Sequence, residues 1–174
     1  MLVPTPHQSE CTVLNRHSRP PSDVFVDFHS STCAIIYYLA RNRHSQIKLQ
    51  TELDEQLSSE DELVANGQQV KRLPYLDACI NEGLRLHSTS ALGLPRVVPE
   101  GGLTIVDQHF AEGTVLSVPS YSIHRDKRIW GEDFEDYRPE RWFERDQADI
   151  QKTFNPFSIG PRYVHSPLLV LIKS

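Results

Sequence analysis

Two oppositely charged residues at helical spacing offer the first chemistry in this chain. Glu82 and Arg85 stand three apart in Asn81-Glu82-Gly83-Leu84-Arg85, so on a helix they are neighbours. A pair of this kind on a helix surface contributes about 0.2 to 0.5 kcal/mol and has no catalytic meaning by itself. The 8 histidines include no His-Glu-x-x-His and no other close ligand pair. A scattered histidine is ordinarily a surface or hydrogen-bonded group. Cys11, Cys33 and Cys79 are widely spaced and form no Cys-x-x-Cys pair. Neither a zinc site nor a redox couple is indicated, and the three read as reduced, intracellular thiols. A formal net charge of -5 supplies no basic stripe to neutralise phosphates, which argues against nucleic acid as a partner.

The elements that must position such residues follow from periodicity. With 174 residues the chain has the length of one ordinary domain, able to bury roughly 70% of its unfolded surface around a single core. Residues 1 to 29 are rich in Pro, Ser and His, lack a sustained period, and are expected to be irregular. Ser31 to Ala40 is dense in apolar residues and reads as the end of a buried helix. A second helix follows, with Ser45 as its cap and Leu49, Leu53 and Leu57 along one stripe. Ser59-Glu60-Asp61-Glu62 has capping-box spacing, but Ala65-Asn66-Gly67 allows only a short turn. Leu73-Pro74 opens another helix, with proline harmless in its first turn and Leu76, Ile80 and Leu84 forming a stripe that ends near His87. Short β-rich runs at Arg96–Val98, Leu103–Val106 and Val115–Val118, punctuated by Gly101-Gly102 and Gly113, predict a small antiparallel sheet. A short helix and a long polar, aromatic-bearing meander to Gly160 complete the chain. The fold class is therefore mainly α with a small antiparallel β-sheet. The longest apolar run, Ala34 to Ala40, falls far short of the roughly 20 residues that span a bilayer, and no signal peptide is marked.

Five phrases in order carry a resemblance. They are Leu73-Pro74-Tyr75-Leu76-Asp77-Ala78-Cys79-Ile80-Asn81-Glu82 running on into Gly83-Leu84-Arg85, Gly93-Leu94-Pro95-Arg96-Val97-Val98-Pro99-Glu100-Gly101-Gly102, Glu112-Gly113-Thr114-Val115-Leu116-Ser117-Val118-Pro119-Ser120, Tyr137-Arg138-Pro139-Glu140-Arg141-Trp142, and Asn155-Pro156-Phe157-Ser158-Ile159-Gly160-Pro161-Arg162. As a set they resemble the haem-thiolate monooxygenases, the cytochrome P-450 family, and are similar to its fungal benzoate para-hydroxylases (benzoate 4-monooxygenases). The resemblance implies a partial P-450 fold over residues 30–162, from the end of the long central helix through the start of the haem loop. It also implies haem b, with its iron, as cofactor. The reaction it implies is insertion of one oxygen atom from O2 into an aromatic C–H bond of a small aromatic acid, with electrons from NADPH through a cytochrome reductase. By the same resemblance Arg141 joins Glu82 and Arg85 in a structural triad, two arginines sharing one carboxylate and pinning helix to meander. Arg96 and Arg162 match propionate-holding positions. Phe157 and Gly160 match the haem loop, while Ser88, Thr89, Ser90, Ala91 and Leu92 match a substrate-proximal segment. Full-length relatives of this kind sit on the cytoplasmic face of the endoplasmic reticulum membrane through an anchor that has no counterpart here, so this chain is expected in the cytoplasm.

The chain departs from the family pattern in two places. The cysteine due seven residues after Phe157 is Val164, which has no lone pair for iron. No metal ligand is therefore assigned, because His165 is one residue out of register and an imidazole would give different chemistry. Counting back from Tyr37, the acid-alcohol pair is due near residues 23 to 28, and Asp23-Val24-Phe25-Val26-Asp27-Phe28 lacks its glycine and paired threonines. Residues 163–174 read as an aberrant tail, a translated intron, and the chain as an inactive fragment. The competing expectation is a non-catalytic remnant or an interaction module that binds no haem. The partners of the apolar helix stripes, by resemblance, lie outside this sequence, so exposed apolar patches are expected.

Overall fold

The computed structural model describes residues 21–57, 67–89 and 91–157. Helix α1 spans Pro21–Arg41 and α2 spans Arg43–Gln56. A one-turn α3, Gly67–Val70, precedes α4, Pro74–Leu86. Strands β1 (Arg96–Val97), β2 (Leu103–Ile105), β3 (Gln108–Phe110) and β4 (Val115–Leu116) follow. The meander carries α5 (Ser120–Ile123), α6 (Lys127–Trp130), α7 (Arg141–Glu144) and α8 (Gln147–Thr153).

Helix α1 corrects the expectation for residues 21–29, which are helical rather than irregular. From Ser22 to Arg41 the sequence has neither Pro nor Gly, and Pro21 stands in the first turn, where its missing N–H costs nothing. Ser45 is not the cap of α2. That helix starts two residues earlier, with Asn42 at the cap position and no side-chain cap bond. The amides at this corner serve the preceding helix instead. Asn42 Nδ2 donates to Tyr38 O at 2.7 Å and Gln46 Nε2 to Leu39 O at 2.9 Å, satisfying carbonyls that the end of α1 leaves without helical partners.

Helix α4 is the hub, packed by α1, α2 and α7. Leu73 and Pro74 open it as expected, and His87 caps its end. The start of α4 is held by α2, because Glu52 accepts from Tyr75 N at 2.8 Å and Leu76 N at 2.9 Å. A carboxylate there satisfies two first-turn N–H groups and lies at the favourable end of the helix dipole. The buried face differs from the expected stripe. Leu76 and Ile80 are half-buried, whereas Ala78, Cys79 and every residue from Glu82 to Leu86 are buried. Gly83 is where α1 comes closest: a Cβ there would stand 2.7 Å from Ile35 Cγ1 and 3.2 Å from Ile35 Cα.

The strands form two separate two-stranded antiparallel ladders rather than one sheet. β1 pairs with β4 in the register Arg96 to Leu116, and β2 pairs with β3 in the register Leu103 to Phe110. Strand β3 escaped sequence reading because its turn lacks glycine. Val106 and Asp107 make the reversal with φ of 44° and 65°, the handedness of a two-residue hairpin that usually calls for Asn or Gly. The core lies under the meander. Ala78, Trp130, Trp142 and Ile150 form it, with Ile129, Phe134 and Phe154 against its edge. Trp142 meets Phe154 edge-on at 4.6 Å and Trp130 at 5.7 Å, offset contacts that add to simple area burial. Tyr38 stacks on Tyr137 at 5.6 Å, and the Tyr137 hydroxyl donates to Cys79 O at 3.0 Å, tying α1 and α4 to the meander.

Candidate functional site

The last two turns of α4 point Glu82 and Arg85 inward, and α7 brings Arg141 to the same point. All three side chains are 0–1% exposed. Glu82 Oε1 accepts from Arg85 Nη2 at 2.9 Å, Arg141 Nε at 2.8 Å and Arg138 N at 3.1 Å. Glu82 Oε2 accepts from Arg85 Nε at 2.9 Å and Trp142 Nε1 at 3.0 Å. One carboxylate thus takes five donors, one more than the roughly four lone-pair directions it offers. Arg85 meets it as a two-pronged fork, the geometry that suits guanidinium to carboxylate.

The donors left over on the arginines go to main-chain carbonyls. Arg85 Nη1 donates to His124 O at 2.8 Å and Phe134 O at 2.6 Å, and its Nη2 to Asp136 O at 3.2 Å. Arg141 Nη1 donates to Trp130 O at 2.9 Å, and its Nη2 to Asp133 O at 2.8 Å and Asp136 O at 3.2 Å. The cluster therefore fixes the path of a meander that has little regular structure of its own. Both guanidinium groups need such compensation, since an unpaired buried charge costs several kcal/mol. Arg85 and Arg145 also lie over the Trp130 ring, at 5.1 Å and 4.9 Å from its centroid.

Three participants were not singled out from the sequence. Asp133 supplies a second carboxylate, its Oδ2 being 3.3 Å from Arg141 Nη2 and 2.7 Å from Arg138 Nε. Burial pushes its carboxyl up, but Arg141 and Arg138 outweigh that and hold it below the usual range. Trp142 stands within a quoted phrase without a role, and His124 lies outside every one of those phrases. Only their position against the cluster reveals one, because a ring N–H or a main-chain carbonyl leaves no trace in charge or spacing.

The remaining predicted residues are spread around this cluster. Ser88 is buried, and neither its Oγ nor Thr89 Oγ1 has a hydrogen-bond partner among the described residues. Ala91 O accepts from Tyr121 N at 3.1 Å, and Leu92 O from Ser117 Oγ at 2.8 Å, while the Leu92 side chain is exposed. Arg96 is half-buried on β1, and no hydrogen bond or ion pair holds its guanidinium among the described residues. Phe157 is buried. Ser90, Gly160, Arg162 and Val164 lie outside the described residues, as does Ser59–Glu62.

The donor chemistry fits haem on one side only. Arg96 offers a guanidinium fork with no partner among the described residues, of the kind a propionate takes. No thiolate is offered where the sequence calls for one. Cys79 is fully buried, and burial pushes its thiol up to about 12, so it is an inert packing group. Cys33 stands exposed on α1. Among the described residues no group of three or more His, Cys, Asp and Glu could hold a metal ion, and no helix is long and apolar enough to cross a membrane.

Comparison with known proteins places this arrangement in a family. Benzoate 4-monooxygenase bphA of Aspergillus niger is 46% identical over 136 residues, covering 76% of this chain and 26% of that protein. Cytochrome P-450 monooxygenase mpaDE of Penicillium roqueforti is 38% identical over 133 residues, covering 74% of this chain and 16% of that protein. Cytochrome P-450 monooxygenase cfoH of Aspergillus candidus is 36% identical over 129 residues, covering 73% of this chain and 24% of that protein. The chain thus spans about a quarter or less of the length of these relatives. The cytochrome P-450 family model matches residues 28–163, which takes in the buried Glu82, Arg85 and Arg141 and the phrases on either side of them; this chain belongs to the cytochrome P-450 family.

Proposed function

We propose that the chain carries the scaffold that, in a complete protein of this family, holds haem for hydroxylation of a small aromatic acid such as benzoate, and that as written it is catalytically inactive. The observation supporting the scaffold is the single buried carboxylate, Glu82, that joins Arg85 of α4 to Arg141 of α7. The bound haem would activate O2, with electrons supplied from NADPH through a cytochrome reductase at the endoplasmic reticulum membrane. The residues here have narrower tasks. Arg96, with Arg162, would hold the propionates. Phe157 and Gly160 would shape the loop beside the ring, and Ser88 to Leu92 would face the substrate.

The residue at the expected ligand position argues for inactivity. Val164 stands where the thiolate is due, and without that ligand the electron donation that favours O–O cleavage is lost. No reaction step is therefore assigned to this chain. Purified chain supplied with haem, reduced and exposed to carbon monoxide, is expected to give no band at the position typical of thiolate haem and no 4-hydroxybenzoate from benzoate. Such a band, or that product, would overturn the reading.

A further inference from the structure

We infer that His124 is a positioning residue, a neutral acceptor that ties the Glu82–Arg85 pair to Asn155, the first residue of the segment proposed to hold haem. The inference rests on that reading for the purpose of the segment, but the tie itself stands on its own geometry. The His124 side chain is fully buried between the core rings, 5.4 Å from the Phe154 ring and edge-on to Trp130 at 6.4 Å. It is held from both ends. Its carbonyl accepts from Arg85 Nη1 at 2.8 Å, and its ring Nε2 lies 3.1 Å from Asn155 N. A backbone N–H can only donate, so Nε2 must be the acceptor and the ring proton must sit on Nδ1. Nδ1 has no hydrogen-bond partner among the described residues. The ring therefore leaves one buried donor unpaired in order to keep an acceptor aimed at Asn155, which is a costly arrangement for a side chain that only fills space.

Two further contacts locate the tie. Ser120, one turn before His124, places its Oγ 3.4 Å from Asn155 O, so both main-chain polar groups of Asn155 face α5 and the residue after it. The charged groups facing the imidazole are Arg85 from α4 and Arg125 beside it. Both are cations, and both oppose a proton on Nε2. Protonation would turn the acceptor into a donor opposite another donor and break the tie at the start of the segment.

The test uses the whole 174-residue chain labelled with nitrogen-15. In the unsubstituted protein the His124 ring is expected to show the Nδ1–H tautomer, with Nε2 unprotonated, at neutral pH. His124→Phe keeps the ring volume without an acceptor, and there the Asn155 amide should exchange with solvent about five- to tenfold faster. The Arg138 amide, which donates to Glu82, should stay protected. His124→Gln places an amide oxygen within reach of Asn155 N and should restore its protection. An Nε2–H tautomer, or equal Asn155 protection in the Phe and Gln variants, would overturn the inference. If the Phe variant loses Arg138 protection as well, it has failed to fold, and the tautomer together with the Gln variant decides. A thiolate-type spectrum would overturn the proposed function without touching this contact, and an Nε2–H tautomer would overturn the contact without touching the spectrum.

Discussion

Glu82 shows how one buried carboxylate can organise a chain segment that has little secondary structure. Its five hydrogen bonds reach α4, α7 and the backbone of Arg138. Replacing Arg141 by Met removes one of the two cations that share Glu82, weakens the tie between α4 and α7, and strands the carbonyl of Trp130. The expected cost is about 3 to 5 kcal/mol, read as a lower urea midpoint at pH 7. Arg85→Lys keeps the charge but loses the fork and the reach to three carbonyls, so it too should lower the urea midpoint. His124 adds a pH dependence. Burial first, and then Arg85, lower its pKa from 6.5 to about 4. The unfolded chain therefore takes up this proton before the folded one does. The contribution is fully present above about pH 6.5 and lost as pH falls towards about 4, amounting to about 3 kcal/mol. Carboxylates also titrate at the lower end of this window, so the comparison is with His124→Gln, whose stability should fall less over the same range.

The elements are held in place by close approaches between them. Gly83 on α4 lets Ile35 of α1 pack against bare backbone. Alanine ordinarily favours a helix over glycine by about 1 kcal/mol. Here the added methyl meets not only the movable Cγ1 of Ile35 but also its Cα at 3.2 Å, which no rotamer change relieves. Gly83→Ala is therefore expected to destabilise, by about 1 to 3 kcal/mol net of the propensity gain. A thermal midpoint raised by this substitution would show that α1 does not press on α4 as described. The β2–β3 hairpin lies at the other extreme. Its turn residue Val106 is 91% exposed with a φ of 44°, a conformation β-branched residues rarely adopt.

At the scale of the molecule, burial is uneven. The meander packs its aromatic rings into a core, and α4 finds its partners within the chain, contrary to the expectation that its apolar surface would stay bare. Elsewhere several large apolar side chains stand in water: Ile36, Ile47, Leu92, Val115 and Val118 range from 54% to 84% exposed. Large apolar side chains left in water favour association. The purified chain should have an apparent mass that rises with concentration and falls when non-ionic detergent is added, and it should bind a hydrophobic dye in its native buffer. A monomer at all concentrations with no dye binding would contradict this.

The sequence by itself determined the family and the existence of the three longest helices, α1, α2 and α4. Motif order is a property of residue types and spacing, and Pro74 at the start of a helix and Gly113 between two strands act locally. That position 164 carries valine and not cysteine is likewise a matter of residue type alone. Periodicity failed where a partner decides the outcome. The start of α1 was invisible because its Pro- and Ser-rich surroundings carry no period. The buried face of α4 departs from the expected stripe because Glu82 and Arg85, polar by type, are among the most buried groups on it. Only the tertiary structure decided that Glu82 serves Trp142 and a main-chain N–H as well as two arginines, and that Asp133 joins the network. It alone showed that an imidazole between two cations serves as an acceptor. These roles arise from groups brought together across some thirty to sixty residues of chain, and desolvation, not residue type, gives each contact its strength.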